Sequence, residues 1–187
     1  MIFSKTTIPG AYRIDIDPIE DERGSFARTW CKKTLASLDL ETDVEQSSVS
    51  YNRALGTLRG MHYQAPPAAE TKIVGCSRGA IYDVILDLRV DSPTFLQWEA
   101  FTLTAANHAQ LYIPEGVAHG FQTLEAGSEV SYQISTAYAP DRSFGFRHDD
   151  PAFGIEWPIP VSAISERDQN HPTFSVKRLE TQWETIA

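Results

Sequence analysis

The chain has 187 residues, of which 42% are hydrophobic, enough for one domain with a substantial core. It carries 16 lysines and arginines against 25 aspartates and glutamates, a formal net charge of -9. This acidity disfavours a nucleic-acid backbone or an anionic membrane as partner, whereas a small anion needs only a few local arginines. We therefore expect a protein that binds neither nucleic acid nor membrane.

The two cysteines, Cys31 and Cys76, are too few for a disulfide framework, and we expect free thiols in a reducing compartment. The N-terminal residues lack the long apolar run of a signal peptide. No stretch approaches the roughly 20 apolar residues of a membrane span. These features predict a cytoplasmic location.

Short strands and turns alternate along most of the chain, and few helices are expected. Patterning predicts early strands over 12–16, 25–30 and 44–51, with a helix over 31–40. Later strands are predicted over 72–77, 80–88, 97–103, 109–113, 120–124 and 129–136. A loop-rich region follows Pro140, and a closing helix is predicted over 176–186. Such even spacing is typical of an antiparallel sandwich or barrel, so residues 1–187 are expected to form a single β domain.

One segment, GTLRGMHYQ over 56–64, combines polar side chains with two glycines. Alternation would divide it into two faces, with Leu58, His62 and Gln64 on one and Arg59 and Tyr63 on the other. A glycine inside a strand often marks a bulge or a close backbone approach, so we expect Gly60 to re-aim His62. Polar groups in this pattern indicate a site rather than a core.

Two spacings pair with each other across the chain. The first is Gly56, five residues, His62, one residue and Gln64; the second is Pro114, one residue, Gly116, two residues and His119. Together they resemble the two motifs of the cupin superfamily. This resemblance implies an all-β fold, a cupin-type double-stranded β-helix (jelly roll) with short peripheral helices, whose motifs face each other inside the barrel.

The metal-binding form of the first motif is incomplete in this chain. It would carry a histidine at Gln64 and a glutamate near 68–69, and Glu70 lies slightly late. Two histidines make a poor metal site, since catalytic sites usually keep three protein ligands, and Lys72 would repel a cation. We therefore expect a pocket with no metal.

Several side chains admit both a structural and a chemical interpretation. His62 is either a hydrogen-bonded core residue or, with a reference pKa of about 6.5, a general base. Lys72 begins a strand and is either solvated or, since it shares a face with Val74 and Cys76, turned inward to stabilise an oxyanion. Tyr132 alternates with apolar residues and faces inward, either as packing or as a proton donor.

Further segments extend the pattern along the chain. They cover 21–26, 56–64, 72–74, 92–95, 111–121, 138–140, 150–151, 155–158 and 164–168, together with Tyr132. In this order they resemble the dTDP-4-dehydrorhamnose 3,5-epimerase family, over almost the whole chain from Asp21 to Asp168. The resemblance is highly specific because so many short segments recur in sequence.

The resemblance implies an epimerase that acts at C3, C5 or both carbons of a nucleotide-linked 4-keto-6-deoxyhexose, without a cofactor. The ketone acidifies the adjacent C–H bonds, and His62 would remove a proton. Lys72 and His119 would hold the enolate oxygen. Tyr132 would return a proton from the opposite face, while Asp168 would orient the histidine and raise its basicity.

The resemblance also implies a binding surface for the nucleotide and diphosphate. Arg23 and Arg59 would clamp the diphosphate, because arginine forks bind phosphate with two bonds each. Gln46 falls where the family binds the nucleotide, and Tyr138 would line the sugar or base pocket. The family forms homodimers that exchange N-terminal strands, so Arg23 would serve the neighbouring subunit.

The sequence departs from the family pattern at expected nucleotide or diphosphate contacts. Arg28 and Ser143 stand where glutamate is common, Ser48 replaces an asparagine and Arg167 replaces a lysine, with one extra residue between Ser48 and Gly56. Ser48 and Arg167 still count as substrate-binding positions. The proposed acid, base and oxyanion groups are retained, so the chemistry is expected to persist while the nucleotide stays open.

Three alternatives compete with epimerisation. A related cupin isomerase would move the keto group between C3 and C4 of the same sugar, which needs no acid opposite the base. A sugar-nucleotide-binding protein without catalysis would explain the altered nucleotide contacts. A metal-dependent cupin oxygenase would require stoichiometric iron or zinc.

Overall fold

The computed structural model describes residues 1–184 and contains fourteen strands and three short helices over that range. In chain order the strands are Ile2–Lys5 (β1), Tyr12–Asp15 (β2), Ile19–Asp21 (β3), Gly24–Phe26 (β4), Gln46–Asn52 (β5), Thr57–Gln64 (β6), Lys72–Arg78 (β7), Ala80–Asp87 (β8), Trp98–Thr104 (β9), Gln110–Ile113 (β10), Val117–Thr123 (β11), Ser128–Ile134 (β12), Ser143–Gly145 (β13) and Ala163–Ile164 (β14). The helices are Lys32–Ala36 (α1), Glu166–Gln169 (α2) and Val176–Trp183 (α3). None of these helices is long and apolar enough to cross a membrane.

Most strands belong to two sheets. The first is antiparallel, with the order β1-β2-β10-β7-β12-β5. The second has the order β13-β6-β11-β8-β9, and β14 adds to β6 in parallel. β3 and β4 form a separate hairpin. The all-β jelly-roll prediction is confirmed.

The main core lies between the two sheets. Val74 and Val130 come from the first sheet, and Ile85 and Phe121 from the second. Each is at most 1% exposed, and burying such a side chain contributes about 1.5–3 kcal/mol before cavity and entropy terms. Because alternate residues of these strands face inward, polar residues placed at the same parity are carried into the space between the sheets.

Two smaller cores fix the helices on the outer faces. Leu35 of α1 packs with Ile73 and Tyr112 against the first sheet. Leu179 of α3 is fully buried in a cluster with Met61 and other residues of the second sheet. The C-terminal segment is thereby held against β6.

Helix α1 ends earlier than the predicted helix over 31–40. Asp39 adopts a positive φ of 55° and Leu38 is exposed, so the segment after Ala36 turns instead of continuing. The predicted extended run over 25–30 shortens to β4. The closing helix is α3, and the last residues predicted for it, 185 and 186, lie outside the described residues. The pattern did not indicate β1, β3, β13, β14 or α2.

A bulge in β6 corrects the predicted division of its side chains. His62 is opposite His119, but Arg59 is opposite Phe121, so two residues of β6 face one residue of β11. Arg59 and His62 therefore lie on the same face, contrary to strict alternation. Gly60 makes this possible: its φ is 128°, and a Cβ there would lie 2.5 Å from the Cα of Gly120.

Candidate active site

A cavity of about 340 Å³ opens between the two sheets. Its lining includes these polar residues singled out from the sequence: Ser48, Arg59, His62, Gln64, Glu70, Lys72, His119, Tyr132, Tyr138, Ser143 and Arg167. They come from six strands, from the helix α2 and from the loops before β7 and after β12. The fold thus brings together groups separated by more than a hundred residues in sequence.

His62 is held by Asp168, which lies at the start of α2. The Nε2 of His62 is 2.8 Å from Oδ1 of Asp168, and the N–H of Gly60 donates to Oδ2 at 3.3 Å. Ser165 caps α2 by accepting from the Asp168 N–H, which fixes the backbone of the carboxylate. Burial opposes ionisation of Asp168, but His171, His62 and the Gly60 N–H outweigh it and lower the pKa of its carboxyl. Asp168 is therefore an anion that orients the imidazole.

Since Nε2 of His62 is engaged with Asp168, Nδ1 is the nitrogen left to take a proton. Burial lowers the pKa of His62 below its usual 6.5, and Lys72 and His171 add to this, while Asp168 opposes it. The imidazole is therefore neutral at pH 7, the form that a general base requires.

His119 forms a second histidine–carboxylate pair, with a partner that was not predicted from the sequence. Its Nε2 lies 2.8 Å from Oδ2 of Asp83, and both side chains are buried. Burial raises the pKa of Asp83, and His119 opposes this rise. The sequence did contain a signal for this pair. Asp83 is an acidic residue within the apolar strand β8, and a buried acidic residue usually has a partner.

Lys72 turns inward, and it pairs with Glu70. The two charged groups are 2.8 Å apart, with side chains only 12% and 10% exposed. The ammonium is thus paired with a carboxylate at rest, remains charged and lines the cavity. It can share its three donors with an oxyanion that develops nearby, because a lysine offers rotatable N–H groups.

Tyr132 lines the cavity from the first sheet, as its alternation predicts, whereas His62 lines it from the second. The Tyr132 ring contacts His119 edge-on, with centroids 6.1 Å apart. Burial raises the pKa of its phenol, and Ser50 and Arg59 offset this only in part. The phenol is therefore protonated at neutral pH and can donate.

The anion-binding side of the cavity is built around Arg59. Its Nε donates to Oδ1 of Asn52 at 2.8 Å, and Asn52 is itself fixed by donating to the carbonyls of Ser50 and Ser128. Asn52 was missed in the sequence, where nothing distinguishes it from a loop residue. Its support leaves the outer guanidinium nitrogens of Arg59 free to bind phosphate oxygens.

The mouth of the cavity carries the residues that depart from the family pattern. Arg167 donates to the carbonyl and the hydroxyl of Ser143 at 3.2 and 3.3 Å. Tyr138 is 56% exposed, and its N–H donates to the side chain of Gln46. Gln46 therefore holds the backbone of Tyr138 at the edge of the cavity, and it is not among the residues that line the cavity.

Arg23 does not reach the cavity of its own chain. It lies on the β3–β4 hairpin with its side chain 84% exposed, and its side-chain bonds are to Asp21. Arg28 is also exposed and does not line the cavity. The expected diphosphate contact of Arg23 is thus absent within one chain.

His62, Asp168 and His171 lie within 4.8 Å of one another, a spacing that would also suit a cation. Two observations favour a hydrogen-bonded cluster instead. Oδ1 of Asp168 is already bonded to His62, and Lys72 places a positive charge on the same cavity. The absence of a metal remains a prediction.

Comparison with known proteins gives the same picture. Residues 5–176 match the profile of the family described as dTDP-4-dehydrorhamnose 3,5-epimerase. The epimerase of Sinorhizobium fredii is 38% identical over 179 residues, covering 93% of this chain and 90% of the relative. The chain belongs to the dTDP-4-dehydrorhamnose 3,5-epimerase family. The resemblance read from its segments is confirmed.

Solved epimerases of this family share the fold. The Bacillus anthracis dTDP-4-dehydrorhamnose 3,5-epimerase, solved with TDP and PPi bound, is 39% identical with a TM-score of 0.89, over 92% of this chain and 99% of its own. A 3'-monoepimerase from Streptomyces bikiniensis in complex with dTDP-quinovose is 28% identical with a TM-score of 0.84, over 95% and 98% of the two chains. The fold therefore accommodates epimerases of different carbon selectivity.

The pKa of His62 predicts the acid side of the pH profile. A base whose pKa is lowered keeps its neutral form as the pH falls through 6.5 and loses it only below. We expect the acid limb of kcat/KM to follow one proton and to have its midpoint below pH 6.5. A stopped assay of kcat/KM between pH 5 and 8 measures this, and a midpoint above pH 6.5 would contradict the neutral imidazole.

Proposed function

We propose that the protein inverts C3, C5 or both carbons of a nucleotide-linked 4-keto-6-deoxyhexose of the dTDP type through an enolate. One observation carries this: a neutral His62 and a protonated Tyr132 line the same cavity from opposite sheets. Inversion requires a base on one face of the sugar and an acid on the other. Residues 1–187 act here as one functional unit.

In the first step, Nδ1 of His62 takes the proton from the carbon next to the ketone. The C–H electron pair becomes the enolate C=C bond, and the carbonyl π electrons move onto oxygen. The imidazolium that forms is stabilised by Asp168 across the 2.8 Å contact. The ionised state of Asp168 supports this role.

The negative oxygen of the enolate needs nearby donors. Lys72 lines the cavity with its ammonium almost buried, and His119 is fixed in place by Asp83. Because burial raises the pKa of Asp83, the protonated carboxyl can donate to Nε2 of His119, which leaves the imidazole proton on Nδ1 as a donor. Preorganised donors in a water-poor cavity stabilise a developing oxyanion more than mobile donors do. Lys72 and His119 are therefore assigned to the enolate oxygen.

In the second step, the Tyr132 hydroxyl gives its proton to the carbon on the face opposite His62. The enolate collapses to the ketone with inverted configuration. The phenolate of Tyr132 then takes a proton from solvent, and the imidazolium of His62 releases its proton to solvent. The reaction is redox-neutral. The opposed placement of His62 and Tyr132 favours this over a ketoisomerase, which would shuttle its proton on one face.

Arg59 is the proposed diphosphate contact within the chain. Arg59→Ala should raise KM by about 10- to 100-fold and change kcat by less than about threefold, because it removes charge-assisted bonds that are the same in ground and transition states. Steady-state kinetics measures both constants. Arg78→Ala, at an exposed arginine on β7, is the matched control. A loss confined to kcat would contradict the clamp.

We further propose a homodimer in which the β3–β4 hairpin reaches the partner's cavity. Arg23 is remote from its own cavity, the hairpin exposes Ile19 and Phe26 at 72% each, and the edge strand β5 exposes Val49. An exposed apolar hairpin and edge strand suit an interface between copies.

Mixing two variants, each of which has low activity at a substrate concentration below the parent KM, tests the shared site. A hybrid of Arg23→Ala with His62→Asn subunits contains one cavity with both original residues, so activity should recover on mixing. A monomer by analytical ultracentrifugation, or no recovery in isolated hybrids, would contradict the proposal.

A further inference from the structure

A third side chain, His171, contacts the Asp168 carboxylate and has no place in the mechanism above. Its Nε2 is 3.6 Å from Oδ1, the same oxygen that His62 contacts at 2.8 Å. The two imidazoles meet edge-on, with ring centroids 5.6 Å apart. Two histidines therefore share one oxygen of the carboxylate.

The structure offers His171 Nε2 no better partner among the described residues. The atom is buried, has no hydrogen bond within normal range, and belongs to a side chain that is only 9% exposed. A buried N–H without an acceptor costs about 1–3 kcal/mol. The nearby anionic Oδ1 is the acceptor that a small contraction would supply.

The His171 ring packs directly against the backbone of β13 at Gly145, where there is no space for a side chain. A Cβ at Gly145 would lie 2.4 Å from Nε2 of His171, so only glycine permits the ring to stand against Asp168. The opposite side of His171 faces a surface cleft that Arg167 and Asn170 also line. The ring is thus confined between the strand and the carboxylate.

We propose that His171 is a positioning residue that shares Asp168 Oδ1 with His62 and limits how much of the carboxylate's charge reaches the base. This rests on the proposed role of His62. From 3.6 Å, the His171 ring interacts with the charge on Oδ1 and favours the anionic carboxylate. It thereby draws on charge that would otherwise stabilise the protonated form of His62. His62 thereby stays neutral in the working pH range.

The surroundings of the cluster give the effect a definite sign. Three charged or titratable groups act on His62: Asp168 of α2, Lys72 of β7 and His171 of the segment after α2. Asp168 in turn accepts a hydrogen bond from the Gly60 N–H. His148 adds a weaker charge interaction with Asp168. Without His171, more of the carboxylate charge acts on His62, so the pKa of His62 is expected to rise.

The test compares His171→Met with His171→Gln. The two side chains are similar in length, but only glutamine retains an N–H donor. His171→Phe is a second donor-free variant that keeps the ring volume, and His108→Gln is a control at an exposed histidine. Two readouts are taken: the acid limb of kcat/KM, and the titration of the His62 imidazole by NMR of histidine-labelled protein without substrate.

We expect both donor-free variants to move the His62 titration and the acid limb upward by about half a pH unit or more, which is about threefold in kcat/KM below the limb. Glutamine should restore the parent values at least in part. Identical titrations in the parent and the methionine and phenylalanine variants would overturn the proposal, as would equal shifts with methionine and glutamine. The NMR readout needs no turnover, so it separates failure of this proposal from failure of the proposed activity.

Discussion

Replacing His62 by asparagine is expected to lower kcat by about 10²- to 10⁴-fold, the range for loss of a general base. The amide of asparagine cannot take the proton of the sugar carbon. Exchange of substrate C–H protons with solvent deuterium should disappear together with turnover, because both begin with the same abstraction. Proton NMR of substrate in deuterated water measures the exchange directly.

The control for this variant is His108→Asn, at an exposed histidine with a positive φ of 50° that asparagine tolerates. It should leave both rates unchanged. Exchange that persists at the parent rate in His62→Asn would assign the base to another residue.

Replacing Tyr132 by phenylalanine should separate the two halves of the reaction. The ring still packs against the main core, so the change removes the hydroxyl and little else. We expect deuterium exchange with retention of configuration to continue. The proton on the His62 imidazolium exchanges with solvent, and His62 can then return deuterium to the same face of the carbon. Inversion should fall by about 10²-fold or more, as the acid on the opposite face is lost.

Chiral analysis of the product alongside exchange kinetics gives the ratio of inversion to exchange. Tyr82→Phe is the matched control, since Tyr82 lies on β8 with its ring against Trp157. An unchanged ratio in Tyr132→Phe would mean that another group supplies the proton.

Much of the fold could be predicted from the chain because strand alternation and turn residues are local signals. The inward direction of Tyr132 and the strands around Lys72 and His119 follow from period-two patterning. Their convergence on one cavity was given by the family resemblance. Sequence pattern alone does not state which strands are neighbours.

The missed residues share a physical reason. Asp83 and Asn52 act through partners on other strands, and those pairings depend on register that composition does not reveal. The bulge in β6 shows the same limit: Gly60 signalled an irregularity, but the transfer of Arg59 to the face of His62 depends on the pairing with β11. His171 acts only through Asp168, and a lone histidine in a loop gives no sign of that.

The departures at the mouth of the cavity now have a structural context. Ser143 and Arg167 contact each other, so the arginine is partly satisfied where the family pattern would place a carboxylate beside a lysine. Under the proposed function, this changes the charge offered to a bound nucleotide, and we expect nucleotide choice and chemistry to be separable.

The most direct test of the proposed reaction is proton NMR of dTDP-4-keto-6-deoxyglucose incubated with the protein in deuterated water. The account predicts deuterium at C3, C5 or both, with changed ring couplings at each inverted carbon. Label at both carbons would identify a double epimerase and label at one a single-centre enzyme. Absence of label at both carbons, with the sugar nucleotide shown to bind, would contradict the proposed base and acid.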